Sequence, residues 1–148
     1  MNSRLAERLA LLPLVLEAVG WLLFGWLILR LLPFCLVAGR LRPGLARSRT
    51  DPDIIPRIAR AVRVAARRVP WPAVCFTQGI AAQRMLCRRG VAATLCYGVR
   101  NGAGGGLEAH VWVTVGDGRS IVGGEAASGF SLLATFEPRP SPDKSSRG

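Results

Sequence analysis

The chain has 148 residues, enough for one domain with its own core. Half of the residues are hydrophobic (50%), which excludes a disordered chain, and no glycine or proline period marks a fibrous one. The balance is 20 basic against 9 acidic residues, a formal +11, and Lys144 is the only lysine among the basic residues. Such a charge suits an acidic partner or a membrane surface. No helix-turn-helix, zinc-finger or aromatic RNA-binding signature accompanies it, so nucleic acid is not an expected partner.

Residues 1–50 differ from the rest. Leu9 to Ala38 is apolar apart from Glu17 and Arg30, with Arg4 and Arg8 before it and Arg40, Arg42, Arg47 and Arg49 after it. No short apolar core leads to a small-residue cleavage site, so a signal peptide is a poor match. The stretch Ala18 to Ala38 has the length of a membrane span, about 20 residues, but Arg30 and Pro33 interrupt it. The alternative is two apolar N-terminal helices, near 5–30 and 31–38, that pack on the following domain or on a partner. Trp21 and Trp26 then belong to a helix–helix or interfacial contact.

Asp51 or Asp53 can cap a helix in which Pro56 occupies the first turn. Ile55, Ile58, Ala59, Val62, Ala66 and Val69 repeat at helical spacing. Arg57, Arg60, Arg63 and Arg67 form a basic stripe on another face, either solvated or in contact with an acidic peptide, partner or lipid phosphate. Pro70 and Pro72 end this helix. Residues 75–89 predict a second helix, with Gly90 placed for a left-handed cap. Residues 91–99 predict a strand in which Leu95, Tyr97 and Val99 alternate with Thr94, Cys96 and Gly98. Asn101 to Gly106 is a glycine loop without the Gly-Lys-Ser/Thr of a phosphate loop.

Residues 107–115 predict a second strand, Gly116 to Arg119 a tight turn centred on Asp117-Gly118, and Ser120 to Gly124 a returning strand. The polar, proline-rich segment from 137 to 148 predicts a disordered tail. The expected organisation is therefore an N-terminal helical region 1–50, a domain 51–136 and a tail 137–148.

The cysteines are Cys35, Cys75, Cys87 and Cys96, with no C-x-x-C pair, which argues against zinc and thioredoxin chemistry. They suit reduced thiols in a cytosol. Cys35, Cys87 and Cys96 sit in apolar runs, as small buried hydrophobes do. Cys75 stands at a predicted helix start, where exposed N–H groups favour a thiolate and can receive an oxyanion. The single histidine, His110, rules out a metal site built on two histidines. It is also the one imidazole that could deprotonate a thiol. By strand period it shares a face with Trp112 and Thr114, opposite Val111, Val113 and Val115.

A two-residue turn would pair Val115 with Ser120, Val113 with Val122 and His110 with Glu125. Glu125 could then orient the imidazole as the third member of a triad. A one-residue bulge would put Gly124 or Ala126 there instead.

Taken together, these elements resemble the core of the transglutaminase-like cysteine enzymes. More narrowly, they resemble the stand-alone leader-peptidase half of the split B protein of lasso-peptide biosynthesis, the microcin-processing type. The matching segments are Cys75-Phe76-Thr77, Arg88-Arg89-Gly90-Val91, Tyr97-Gly98-Val99-Arg100, Glu108-Ala109-His110-Val111-Trp112-Val113 and Asp117-Gly118. They cover roughly residues 55–135. The resemblance implies an α+β, papain-like fold in which a helix packs on a small antiparallel sheet. It makes Cys75 the nucleophile and His110 its base. The family's acidic third residue is expected on the strand after the hairpin; no aspartate stands near Gly124, so either Glu125 substitutes or the dyad works with a weaker orienter.

The implied reaction is hydrolysis of a precursor's leader peptide, without metal, ATP or another cofactor. A small leader-recognition protein would deliver the substrate, and an ATP-dependent, asparagine-synthetase-like cyclase would take the freed core peptide. Two alternatives stand beside it: another Cys–His acyl transfer, such as transglutamination or amidation, and a non-catalytic, membrane-associated scaffold.

Overall fold

A computed structural model describes residues 3–33, 42–46, 51, 53–116 and 118–140. The proposed short helix 31–38, Cys35, Asp117 of the turn and the tail beyond residue 140 lie wholly or largely outside the described residues. The elements are helix α1 (Ser3–Leu31), helix α2 (Ile54–Ala66), helix α3 (Cys75–Cys87), strands β1 (Ala93–Asn101), β2 (Leu107–Val115) and β3 (Arg119–Val122), a 3-10 helix (Gly124–Gly129) and strand β4 (Ser131–Phe136). The strands form one sheet in the order β3-β2-β1-β4, with every neighbouring pair antiparallel.

Apolar spacing decides which faces meet. In α2 the positions Ile54, Ile58, Ala61, Val62 and Ala65 fall on one side and are buried. In α3 nearly every residue after Cys75 is buried, because this helix lies between the sheet and the other two helices. Gly79 sets the depth of that contact. A Cβ there would stand 2.6 Å from Leu95 Cδ1 and 2.8 Å from Val111 Cγ1, so only a bare backbone fits. One turn on, the buried Gln83 donates to Ala93 O at 3.0 Å and to Phe136 O at 2.6 Å, tying α3 to β1 and β4. Gly90, at φ 77°, forms the left-handed helix end, and Val91 N–H closes onto Leu86 O at 3.1 Å.

The apolar N-terminal region is not set apart from this core. Leu14, Ala18 and Leu22 of α1 are buried in the same cluster as α2 and α3. Gly25 approaches Thr77 at the start of α3, while Glu17 pairs with Arg89 at 2.6 Å and Arg88 at 3.6 Å beyond its end. α1 therefore runs antiparallel to α3. The first residues after β4 also differ from what their composition suggests. Arg139 bridges Gly44, with Leu45 N–H donating to Arg139 O at 3.0 Å and Arg139 N–H to Pro43 O at 2.8 Å. Residues 137–140 are thus held against 42–46, where polar, proline-rich composition predicted disorder.

The close approach at Gly79 makes a direct prediction. Gly79→Val should lower stability by about 2–3 kcal/mol, since overpacking outweighs the helix propensity gained. A urea denaturation midpoint no lower than wild type would show that the helix is not seated on the sheet at this depth.

Candidate active site

Cys75 is the first residue of α3 and is half-buried at the rim of the core. The residue before it, Val74, is extended and supplies no side-chain cap. Two side chains of the first turn look backward instead: Thr77 Oγ1 donates to Val74 O at 2.9 Å and Gln78 Nε2 to Ala73 O at 2.7 Å. They bond carbonyls, and Val74 itself caps no N–H of the first turn. This is the positive end of a helix with a sulfur at its tip, the arrangement that can hold an oxyanion beside a thiolate.

His110 lies on β2, directly opposite Gly98 of β1. Val111 and Val113 face α3, as their contact with Gly79 requires, so His110 and Trp112 leave the strand on the other face. There the Trp112 ring lies across Gly98, where a Cβ would come within 2.8 Å of it. The imidazole is half-buried beside Trp112, with ring centroids 6.2 Å apart, and Phe130, 5.1 Å apart. Its Nε2 is 2.7 Å from Gly123 O. A carbonyl can only accept, so Nε2 carries the hydrogen, and the neutral ring keeps its lone pair on Nδ1. That is the tautomer a thiol's base requires.

The residue holding His110 is not the expected one. The register His110↔Glu125 does not form. Val113 does pair with Val122, but Val115 pairs with Arg119, not Ser120, because the ladder shifts between Val113 and Thr114. The strand then stops at Val122. Gly123, at φ 73°, turns the chain into a 3-10 helix, and Glu125 sits exposed on that helix. Glu125 makes no hydrogen bond or ion pair with His110 among the described residues. The partner of the imidazole is a main-chain carbonyl in place of the expected carboxylate.

Cys75 and His110 make no hydrogen bond with each other among the described residues. α3 packs on the Val111 and Val113 face of β2 and His110 leaves the other, so the structure does not bring the two side chains together; the hollow lined by Gln78, one turn along α3 from Cys75, and by Gly123, the partner of His110, has neither of them in its wall. Arg63 of α2, Ser120 and Glu125 complete its wall. The sequence reading missed the Gly123 carbonyl, Phe130 and Gln78. The Gly123-Gly124 pair after a short strand was the available sign that the chain turns there. Among the described residues no cluster of His, Cys, Asp and Glu could hold a metal ion.

Cys87 and Cys96 are buried, and burial pushes both thiols up from the ordinary value of 9.0. Stability from these neutral thiols is complete below the unfolded value and is lost as pH rises through the folded values. In the folded protein, iodoacetamide at about pH 8 should alkylate Cys75 roughly tenfold faster than Cys87 or Cys96. Peptide mass mapping reads the order, and equal rates would contradict the burial of the other two. Gly123→Ala should cost about 1–2 kcal/mol. Its Cβ would stand 2.6 Å from Val111 O, so the carbonyl must leave His110. The histidine ring NMR signals should shift with it.

A family model for the transglutaminase-like superfamily matches residues 21–135. No significant match was found among curated proteins or among solved structures. The matched span runs from the middle of α1 to the end of β4 and contains Cys75, His110 and the whole sheet. The helices packed on a four-stranded antiparallel sheet are the α+β architecture expected of that group, and the chain belongs to the transglutaminase-like superfamily.

Proposed function

We propose that the chain is a cysteine peptidase that removes the leader from a ribosomally made lasso-peptide precursor. Membership of a superfamily of cysteine-based enzymes supports cysteine-dependent acyl chemistry. The observation that carries the reading is that the superfamily domain places Cys75 at the first residue of α3, with no side-chain cap from Val74, and holds its one histidine by an Nε2–H bond to Gly123 O. The finer assignment rests on the motif set around Cys75, Gly90, Tyr97 to Arg100 and Ala109-His110-Val111-Trp112.

In this mechanism substrate enters the hollow beside Gln78 and Gly123, and His110 Nδ1 takes the Cys75 proton. The sulfur attacks the scissile carbonyl carbon, and the positive N-terminal end of α3 receives the oxyanion. The imidazolium returns its proton to the leaving amine, giving an acyl-enzyme. Water, deprotonated by the same ring, then releases the leader's new carboxylate and restores the thiol. A small leader-recognition protein presents the precursor, and an ATP-dependent, asparagine-synthetase-like cyclase receives the freed core. Transfer of the acyl group to an added amine would mark the other acyl-transfer reading.

The test is mass spectrometry of a precursor incubated with the chain and the leader-recognition protein. Wild type should release a leader fragment, and Cys75→Ala should release none. His110→Ala should lower the rate by about 10²–10⁴-fold, the range of general-base catalysis. Glu125→Ala should keep kcat within about threefold of wild type, because its exposed carboxylate makes no bond to the imidazole, and any effect should fall on KM, since it lines the hollow. Cleavage by Cys75→Ala would remove the nucleophile assignment. A large loss in Glu125→Ala would restore the carboxylate to the triad.

A further inference from the structure

We infer that α1 and α2 form a docking face for an anionic phospholipid membrane, with α1 lying in the plane of the surface. The first observation is that α1 is apolar on two opposite sides. Its inner side, Leu14, Ala18 and Leu22, is 0–6% exposed in the domain core. Its outer side carries Leu5, Leu9, Leu12, Leu16, Leu23 and Leu27, a row whose steps of four, three, four, seven and four residues keep it on one face. Leu9 is 58% and Leu16 64% exposed. A helix apolar all round belongs in a core or in lipid, and here the core accounts for only half of it.

The second observation is charge. Between α1 and α2 runs a groove lined by Arg8, Arg60 and Arg68 together with Leu12, Val15 and Val64. No carboxylate lines it; Glu7 and Asp53 lie in the neighbouring hollow on the far side of Arg60. An apolar floor rimmed by guanidinium groups matches a phosphate headgroup above an acyl chain. The arginines also discriminate between occupants. A second copy of this chain would bring more positive charge to the seam, whereas an anionic lipid surface neutralises it. At the other end of α1, Arg30 lies over the Trp26 ring at 5.8 Å, a pair of residue types that settle at the headgroup level.

A transmembrane orientation is set against this by packing. Leu5–Leu31 is long and apolar enough to cross a bilayer. Spanning, however, would strip Leu14, Ala18 and Leu22 from α2 and α3 and break the Glu17–Arg89 pair, leaving the domain's core open. Lying flat keeps both and immerses the outer leucine row.

The test is co-sedimentation of the full chain with vesicles of phosphatidylcholine alone and of phosphatidylcholine with about 30% phosphatidylglycerol. Binding to the anionic vesicles should be strong, weaken with salt and shift tryptophan fluorescence to shorter wavelength. It should be released by an alkaline carbonate wash. The double variant Arg60→Gln/Arg68→Gln should lose roughly 25-fold in partitioning, about fivefold per arginine. Leu9→Ser/Leu16→Ser should lose at least about tenfold. All four positions are exposed, so thermal unfolding followed by circular dichroism should match wild type. Equal, salt-insensitive binding to both vesicles, or resistance to carbonate, would overturn the in-plane reading. So would absence of vesicle binding with a stable dimer in sedimentation, or with binding to an acidic peptide such as polyglutamate instead.

Discussion

The seating of α3 on the sheet is the contact on which the rest depends. Gly79 lets the helix backbone descend until it touches Leu95 and Val111, and this depth fixes where Cys75 emerges. A helix held by apolar contact alone could slide along the sheet. Gln83 removes that freedom by donating to a carbonyl on β1 and another at the end of β4. The group is buried, so shifting the helix by a turn would leave its amide and both carbonyls without partners, at a cost near 1–3 kcal/mol for each. The position of Cys75 is therefore set by one missing side chain and one buried amide, both behind it.

The imidazole is positioned by a different device. In a full triad a carboxylate fixes the tautomer of the histidine and also stabilises its positive charge. Gly123 O does the first through its acceptor geometry and contributes only a dipole to the second. The ring is further confined by Trp112 and Phe130, and Arg100, whose guanidinium lies 4.5 Å over the Phe130 ring, is paired with Glu108. A carbonyl cannot be protonated in the working pH range, so this orienter holds its ring over the whole range in which the thiol chemistry runs.

Much of this was legible in the sequence. The alternation Val111, Val113, Val115 against His110, Trp112, Thr114 is a period-two signal, and β2 has the predicted bounds. The helix from Cys75 ends with a left-handed Gly90, as its spacing suggested. Two features escaped for physical reasons. β4, Ser131–Phe136, has exposed Leu132 and Leu133 side by side, so no alternation announced an edge strand. The third catalytic residue was sought by extending the hairpin register, but register transmits only while the ladder is regular. The shift between Val113 and Thr114 still leaves Val113 opposite Val122, as expected; it is the end of β3 at Val122 and the left-handed glycine at 123 that remove Glu125 from the face of His110. Side-chain patterns say little about a main-chain acceptor, and here the acceptor is main chain.

α1 shows why composition and packing must be read together. Its hydropathy alone describes a span, and its inner leucines alone describe a core helix. The antiparallel alignment with α3 connects the two descriptions to the site. Gly25 and Trp26 meet Thr77 and Trp71 near the Cys75 end, while Glu17 is held by Arg88 and Arg89 beyond the other end of α3. The groove of Arg8, Arg60 and Arg68 lies on the N-terminal half of α1, away from the half that meets the start of α3. Contacts with anionic lipid in that groove would therefore leave the first turn of α3 and the hollow at Gln78 and Gly123 unobstructed. The exposed leucine row and the side that meets α3 lie on opposite sides of one helix, and the inner face that keeps α1 from leaving the domain keeps the two in fixed relation.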